Sequence, residues 1–197
     1  YRSLPYLIKD YQISYAVSPT LWLENLQKKQ SGGEANCLAF APIYDDNVTT
    51  GITRNNRNQA LGNLPGAEKE LQAISELIDG DFYKAEQASE AKFKSDAGRY
   101  NILHLAMHGI VDDANPGNSA LIFTNSDNPE EDDSLHTYEL YNLELNSDLV
   151  VLSACNTGAG QLDKGEGIMS LARGFQYAGV PSICLLYTSD AADDDVR

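Results

Sequence analysis

Hydrophobic and polar positions along the chain follow two periods in turn, and this predicts a succession of strands and helices. Short apolar or alternating runs predict strands at 11–17, 37–41, 82–85, 101–108, 120–123, 148–155 and 181–187. Apolar residues three and four apart predict helices at about 18–31, 65–79, 88–97, 137–143 and 168–178. Strands that alternate with helices are typical of an α/β fold with a mostly parallel sheet.

Composition, charge and cysteine usage exclude several classes of protein. The 197 residues fit one domain, and the net charge of -15 argues against a nucleic-acid partner, which would need clustered Lys and Arg. No apolar run is long enough to cross a membrane, and the start at Tyr1 has no signal-peptide pattern, so we expect a fragment of a longer chain. Three widely spaced cysteines match neither a disulfide framework nor a zinc motif and indicate a reducing, cytoplasmic location.

Reactive side chains stand where two of the predicted strands end. One strand finishes at His108-Gly109 and another at Cys155, which is followed by a glycine-rich loop. Functional groups of open parallel sheets gather at such strand ends, so His108 and Cys155 would meet if their strands are neighbours. A thiolate is the nucleophilic form of cysteine, and a neighbouring imidazole can take the thiol proton and return it to a leaving amine.

The same strand ends offer backbone donors and nearby polar side chains. The N–H groups of Gly109 and Cys155 would form an oxyanion site, since Gly109 lacks a side chain to keep a substrate carbonyl away. The helix after the glycine-rich loop could point its N-terminus at Cys155 and favour the thiolate. Residues that would contact substrate or support the site are His104, Asn156, Thr157, Asp163 and Glu166. For the loop residues, the alternative is a solvated loop.

Other histidines and cysteines have simpler interpretations. Cys37 and Cys184 lie inside apolar runs and are expected to be buried packing residues. His104 is expected to be a buried histidine with satisfied partners, and His136, after an acidic loop, a solvated one. A zinc site built from His104, His108 and Cys155 is a weak alternative, because a strand sets the two histidines far apart for one ion.

The signature segments of the chain resemble those of CHAT domains, which are caspase-like domains often attached to tetratricopeptide repeats. The strongest matches are ILHLAMHG at 102–109 and VVLSACNTG at 150–158. Supporting blocks follow in the family's order: ISYAVS at 13–18, LPGAEKEL at 64–71, SAL at 119–121, and GEG at 165–167 leading into LARGF at 171–175. From His108 to Cys155 is 155 − 108 = 47 residues, close to the interval of roughly 50 seen in caspases.

The resemblance implies a caspase–haemoglobinase-like fold, a three-layer sandwich with a mostly parallel sheet, related to separases and caspases. It maps His108 onto the catalytic histidine and Cys155 onto the nucleophile of a cysteine endopeptidase. It implies no metal and no organic cofactor. It also implies a protein or peptide substrate, a role in regulated signalling or defence, and control by a repeat domain elsewhere in the parent chain.

The C-terminal end departs from the family pattern. The family continues beyond the strand at 181–185 into a further segment and helix, whereas this chain runs into the acidic tail TSDAADDDVR. We therefore expect a CHAT domain over 1–187 that is incomplete at its C-terminus, and a non-native or disordered tail over 188–197. The chain would then be truncated at both ends.

Two functions from other classes compete with the peptidase. A pseudoprotease or interaction module would keep the fold without turnover, which the presence of both His108 and Cys155 disfavours. A flavodoxin-type binding domain would hold an anion or nucleotide at the loop 158–167, but that loop has neither of the common phosphate-binding glycine patterns. The acidic surroundings of the site suggest a basic residue in the substrate before the scissile bond.

Overall fold

The structure, a computed structural model, describes residues 18–27, 35–44, 61–112, 114–126, 131–153, 155–156 and 166–186. The strand predicted at 11–17 and the tail at 188–197 lie outside these ranges.

Helices and strands alternate along the described residues. The helices are α1 (Pro19–Gln27), α2 (Pro65–Ser75), α3 (Glu90–Asp96), α4 (Thr137–Leu140) and α5 (Glu166–Tyr177). The strands are β1 (Cys37–Ala41), β2 (Gly80–Lys84), β3 (Ile102–Leu105), β4 (His108–Ile110), β5 (Ala120–Ile122), β6 (Ser134–His136), β7 (Leu149–Leu152), β8 (Cys155–Asn156) and β9 (Ser182–Leu185). Short 3₁₀ turns stand at Ala85–Gln87, Ala97–Arg99 and Pro116–Asn118.

Five of the strands form a parallel sheet in the order β2-β1-β3-β7-β9. Ala67 and Leu71 of α2 pack against one face of β1, while α3 and α5 contribute Phe93 and Phe175 to the core on the opposite face. All five residues of β1 are buried, as expected for a strand covered on both sides. The α/β class and the three layers expected from the sequence are thereby confirmed.

An aromatic cluster fills the core on the α3 and α5 side of the main sheet. The Phe40 ring of β1 lies 5.8 Å from Phe93, 5.6 Å from Phe123 and 5.3 Å from Tyr83, measured between ring centroids. The first two contacts are edge-to-face, an arrangement that aromatic quadrupoles favour. The cluster anchors α3 to the centre of the sheet and so fixes the strands whose ends carry the candidate site.

A glycine allows α5 to approach α4 closely. A Cβ atom on Gly174 would lie 2.7 Å from Leu140 Cδ1 and 3.3 Å from Thr137 Cγ2, both closer than normal contact. This position therefore brings the two helices together in a way that a larger residue would prevent.

The two strands predicted to carry His108 and Cys155 are each broken, which corrects the prediction of single strands at 101–108 and 148–155. The ladder of β3 and β7 continues one step, with Ser153 N–H donating to Leu105 O at 2.9 Å. Beyond this point both segments leave the main sheet together. They pair again as β4 and β8 in a second sheet of order β6-β5-β4-β8, in which β4 and β5 are antiparallel. A continuous apolar run conceals this change of sheet, since both sheets bury it.

Smaller differences concern lengths and one additional strand. The helix predicted at 65–79 ends at Ser75, the one predicted at 137–143 ends at Leu140, and the one predicted at 88–97 covers only Glu90–Asp96. Strand β6 was not predicted, because three residues beside an acidic stretch give little periodic signal.

Candidate active site

Strands β4 and β8 place the two candidate catalytic positions side by side. They pair in parallel with His108 opposite Cys155 and Gly109 opposite Asn156. Neighbouring strands of a sheet lie about 4.8 Å apart, so the backbones of His108 and Cys155 are immediate neighbours. The structure thus brings together the two residues that the sequence places at separate strand ends.

The hydrogen bond of the His108 ring fixes its tautomer. The side chain is buried, and Nε2 lies 2.6 Å from the carbonyl oxygen of Gly62. Because a carbonyl only accepts, Nε2 carries the proton and Nδ1 carries the lone pair. Among the described residues, Nδ1 has no hydrogen-bond partner and is shielded from solvent. The ring therefore presents an unprotonated nitrogen that is ready to accept a proton.

Burial lowers the pKa of His108 from its ordinary value of 6.5, although the bond to Gly62 partly opposes this shift. Desolvation disfavours the charged imidazolium, so the ring is neutral at neutral pH. A neutral imidazole with a free Nδ1 is the form that a general base requires.

Tyr44 holds the backbone of His108 through its hydroxyl group. Its hydroxyl accepts a hydrogen bond from the His108 N–H at 3.0 Å and donates to Ile122 O at 2.8 Å. The two rings pack with centroids 4.6 Å apart. Burial raises the pKa of the Tyr44 phenol, which keeps the hydroxyl protonated and able to donate. Sequence analysis missed both Tyr44 and Gly62.

Replacing Tyr44 with phenylalanine is expected to lower the free energy of unfolding by about 1–3 kcal/mol, because the buried His108 N–H loses its acceptor. Urea unfolding followed by circular dichroism measures this. Tyr177→Phe is the control, since Tyr177 is 71% exposed and should change stability by less than about 0.5 kcal/mol. Equal effects of the two substitutions would show that the Tyr44 hydroxyl contributes nothing to the site's stability.

His104 stands apart from His108, in β3, and contacts a carboxylate. It is buried, and its Nε2 lies 3.1 Å from Glu70 Oε1. The two atoms lie within hydrogen-bonding distance, although their alignment is not that of an ideal hydrogen bond. The other carboxylate oxygen, Oε2, accepts a hydrogen bond from Ser153 Oγ at 3.1 Å. The contact with His104, together with the Ser153 bond, lowers the pKa of Glu70 despite its partial burial.

The remaining predicted site residues are placed only in part. Gly109 is buried and pairs with Leu121 of β5 on its other side. Asn156 ends β8, and Glu166 begins α5. Thr157 and Asp163 lie outside the described residues.

The two cysteines away from the site differ from one another. Cys37 is fully buried, as expected, and burial raises the pKa of its thiol to about 11. Cys184 in β9 is only half-buried, so the expectation that it is a buried packing residue is wrong. Among the strands that the structure describes, β9 is the last in the order of the main sheet.

A group of possible metal ligands stands away from the candidate site. One ligand atom each from Asp132, His136 and Glu139 lies within 4.8 Å of the others. Both oxygens of Glu139 already accept hydrogen bonds, one from Lys94 Nζ at 2.9 Å and one from His136 N–H at 2.8 Å. An ammonium group so close disfavours a second cation, so we assign no metal here.

His136 itself corrects a prediction. It is buried rather than solvated, and its Nδ1 lies 3.1 Å from Asn118 O. Its ring stacks on Tyr138 with centroids 4.9 Å apart. Contacts with residues 18 positions away remove this histidine from water, and the polar neighbours in the sequence do not reveal them.

The family model for the CHAT domain matches residues 2–191, which is nearly the whole chain. No curated protein matches the sequence. Of the helices within the described residues, none combines the length and apolar character that a bilayer crossing demands.

Proposed function

Because the chain belongs to the CHAT domain family, which is caspase-like and related to peptidases, we propose that it is a cysteine endopeptidase with His108 and Cys155 as its catalytic pair. One observation carries the proposal: His108 holds its proton on Nε2 through Gly62, its Nδ1 is buried without a hydrogen-bond partner among the described residues, and its strand pairs in register with that of Cys155.

In the proposed reaction, His108 Nδ1 takes the thiol proton of Cys155 and the thiolate attacks the scissile carbonyl carbon. The N–H groups of Gly109 and Cys155 stabilise the resulting oxyanion. The carbon–nitrogen bond then breaks, and the departing amine takes the proton from Nδ1, leaving a thioester. Water then attacks the thioester as Nδ1 takes its proton, the carbon–sulfur bond breaks, and the sulfur regains a proton from Nδ1. The new carboxyl group loses its own proton to solvent.

The substrate and its control are part of the same proposal. A segment of a protein or peptide would lie across β4 and β8, and the net charge of -15 favours a basic segment. We further propose that the domain acts in the cytoplasm, that a repeat-containing part of the parent chain regulates it, and that Asn156, Thr157, Asp163 and Glu166 contact the substrate.

Covalent capture tests the catalytic pair before any substrate is known. A mixture of peptides ending in an acyloxymethyl ketone is expected to leave one peptidyl methyl ketone on Cys155 of the wild-type chain, because an activated thiolate displaces the acyloxy group as a carboxylate. The added mass is that of the inhibitor less the carboxylic acid that leaves. Intact-mass and peptide mass spectrometry measure this. Cys155→Ala should abolish the adduct, whereas Cys184→Ala, which removes a half-buried thiol, should leave it unchanged.

Equal modification of Cys155→Ala and wild type would contradict the proposal. A folded wild-type chain that takes no adduct at Cys155 would favour a CHAT domain without turnover, acting as an interaction module.

A further inference from the structure

A single carboxylate connects the helix α2 with the ends of the two strands that lead to the catalytic pair. Glu70 is on α2, His104 is on β3, and Ser153 directly follows β7. Each oxygen of the Glu70 carboxylate contacts one of the two strand residues. Oε1 lies 3.1 Å from His104 Nε2, and Oε2 lies 3.1 Å from Ser153 Oγ.

The two contacts fall where the main sheet gives way to the second one. Ser153 is two residues before Cys155, and His104 is four residues before His108. The backbone is still paired at this point, since Ser153 N–H donates to Leu105 O. Beyond this point, the two segments continue as β4 and β8 in the second sheet. The Glu70 contacts with His104 and Ser153 therefore lie where both segments change from one sheet to the other.

The N-terminal end of α2 is close in sequence to the carbonyl group that fixes the tautomer of His108. Gly62, whose carbonyl holds His108 Nε2, is three residues before the first residue of α2. Nearby, Asn63 Oδ1 accepts a hydrogen bond from Tyr44 N–H at 2.7 Å, so the entry to α2 is attached to the residue that holds the His108 backbone. A shift of α2 along the sheet would therefore move the Gly62 carbonyl away from the imidazole.

We propose, on the basis of the function above, that Glu70 is a positioning residue: by joining α2 to His104 and Ser153, it keeps the Gly62 carbonyl on His108 and the ends of β3 and β7 in the register that the catalytic pair needs. Glu70 acts through these neighbours and takes no proton itself. Its side chain is about two-thirds buried and its charge is matched by buried polar partners, as this role demands.

The test compares Glu70→Ala with Glu68→Ala, which removes an exposed carboxylate two residues away on the same helix. The first readout is ¹⁵N NMR of the His108 ring, which distinguishes a proton on Nε2 from one on Nδ1 without requiring activity. The wild-type chain and Glu68→Ala should show the Nε2–H form. Glu70→Ala should show a mixture of both forms, because the Gly62 carbonyl is no longer held in place.

The second readout is the rate at which iodoacetamide alkylates Cys155 at pH 7. Displacement by an ångström at a reacting centre can cost about 100-fold, so we expect Glu70→Ala to lower this rate about 10-fold or more. The reagent is small and has no peptide part, so the rate does not depend on substrate binding. Ser153→Ala, which removes one of the two contacts, should have a smaller effect in the same direction.

The outcomes separate this proposal from the catalytic one. If Glu70→Ala retains both the Nε2–H form and the wild-type rate, Glu70 does not position the pair, and the peptidase proposal stands. If wild-type Cys155 reacts no faster than Cys184, the peptidase proposal fails, and the tautomer alone then decides the role of Glu70. If Glu70→Ala does not fold, Ser153→Ala and Glu70→Gln replace it, with an unchanged tautomer and rate in both as the overturning result.

Discussion

Replacing His108 with alanine is expected to lower the turnover of any peptide that the wild-type chain cleaves by about 10²–10⁴-fold. The reason is the loss of His108 Nδ1, which has no hydrogen-bond partner among the described residues and can take the thiol proton, since Nε2 donates to Gly62 O. Steady-state kinetics on a fluorogenic peptide selected with the wild-type chain measures the change. A fall in kcat with KM little altered is the expected form, because the imidazole acts in the transition state.

The activity of the wild-type chain should fall at acidic pH, because His108 acts as a base only when its ring is unprotonated. Burial lowers the pKa of His108 below 6.5, so protonation removes the base only when the pH falls through that lower value. Wild-type activity should therefore hold at pH 6.5–8 and decline on the acid side, and His108→Ala should lose that acidic decline. His136→Asn is the control, because asparagine can still donate to Asn118 O and His136 is outside the site. A kcat within threefold of wild type in His108→Ala would contradict the assignment.

Replacing Lys94 with methionine is expected to lower the free energy of unfolding by about 3–5 kcal/mol at pH 8. Lys94 Nζ lies 2.7 Å from Glu90, 2.7 Å from Glu131 and 2.9 Å from Glu139. Glu90 has no solvent exposure, and burial raises its pKa to about 7 even with the ammonium beside it. Without Lys94, Glu90 must either stay charged while buried near like charges or take up a proton, which costs more free energy the higher the pH. Guanidinium unfolding followed by fluorescence measures the loss.

The loss should grow as the pH rises. Removing the ammonium raises the pKa of Glu90 further, so the folded variant binds a proton that the unfolded chain, with a carboxyl pKa near 4.5, has already released. Where the folded state binds more protons, stability falls with increasing pH. The difference between variant and wild type should thus be smaller at pH 6 than at pH 8.

A neighbouring lysine and a double variant control this prediction. Lys92→Met removes a more exposed lysine, whose side chain is 42% accessible and pairs with Asp96 at 3.1 Å, and it should cost much less stability than Lys94→Met. Glu90→Gln combined with Lys94→Met should recover part of the stability, because the charge left unpaired is gone. Equal losses for Lys92→Met and Lys94→Met would contradict a special role for the buried carboxylate.

Part of the arrangement around the site could be foreseen from the sequence. Apolar runs that end in His108 and Cys155 predict two strands whose ends would meet if the strands are neighbours, and the parallel pairs β3–β7 and β4–β8 make them neighbours. The breaks after Leu105 and Leu152 could not be foreseen, since residues such as Met107 remain fully buried while they change sheets. The hydrophobicity of a residue predicts that it is buried, but it does not predict which of the two sheets the residue belongs to.

The residues that contact His108 were harder still to predict from the sequence. The acceptor for Nε2 is the backbone carbonyl of Gly62, 46 residues away, and any residue type carries such a carbonyl. Tyr44 is 64 residues away and reads as an ordinary aromatic residue beside a polar loop. Glu70 looks like one of several acids on an amphipathic helix, and only the fold distinguishes it from Glu68.

The pH dependence of alkylation at Cys155 tests the His108–Cys155 pair most directly. Iodoacetamide labelling is followed by mass spectrometry in wild type and His108→Ala, with Cys37, buried and with its thiol pKa raised to about 11, and half-buried Cys184 as internal references. We predict that Cys155 reacts fastest well below the ordinary thiol pKa of about 8.5, and that His108→Ala abolishes this advantage. A folded chain in which Cys155 reacts like Cys184, with or without His108, would contradict the account.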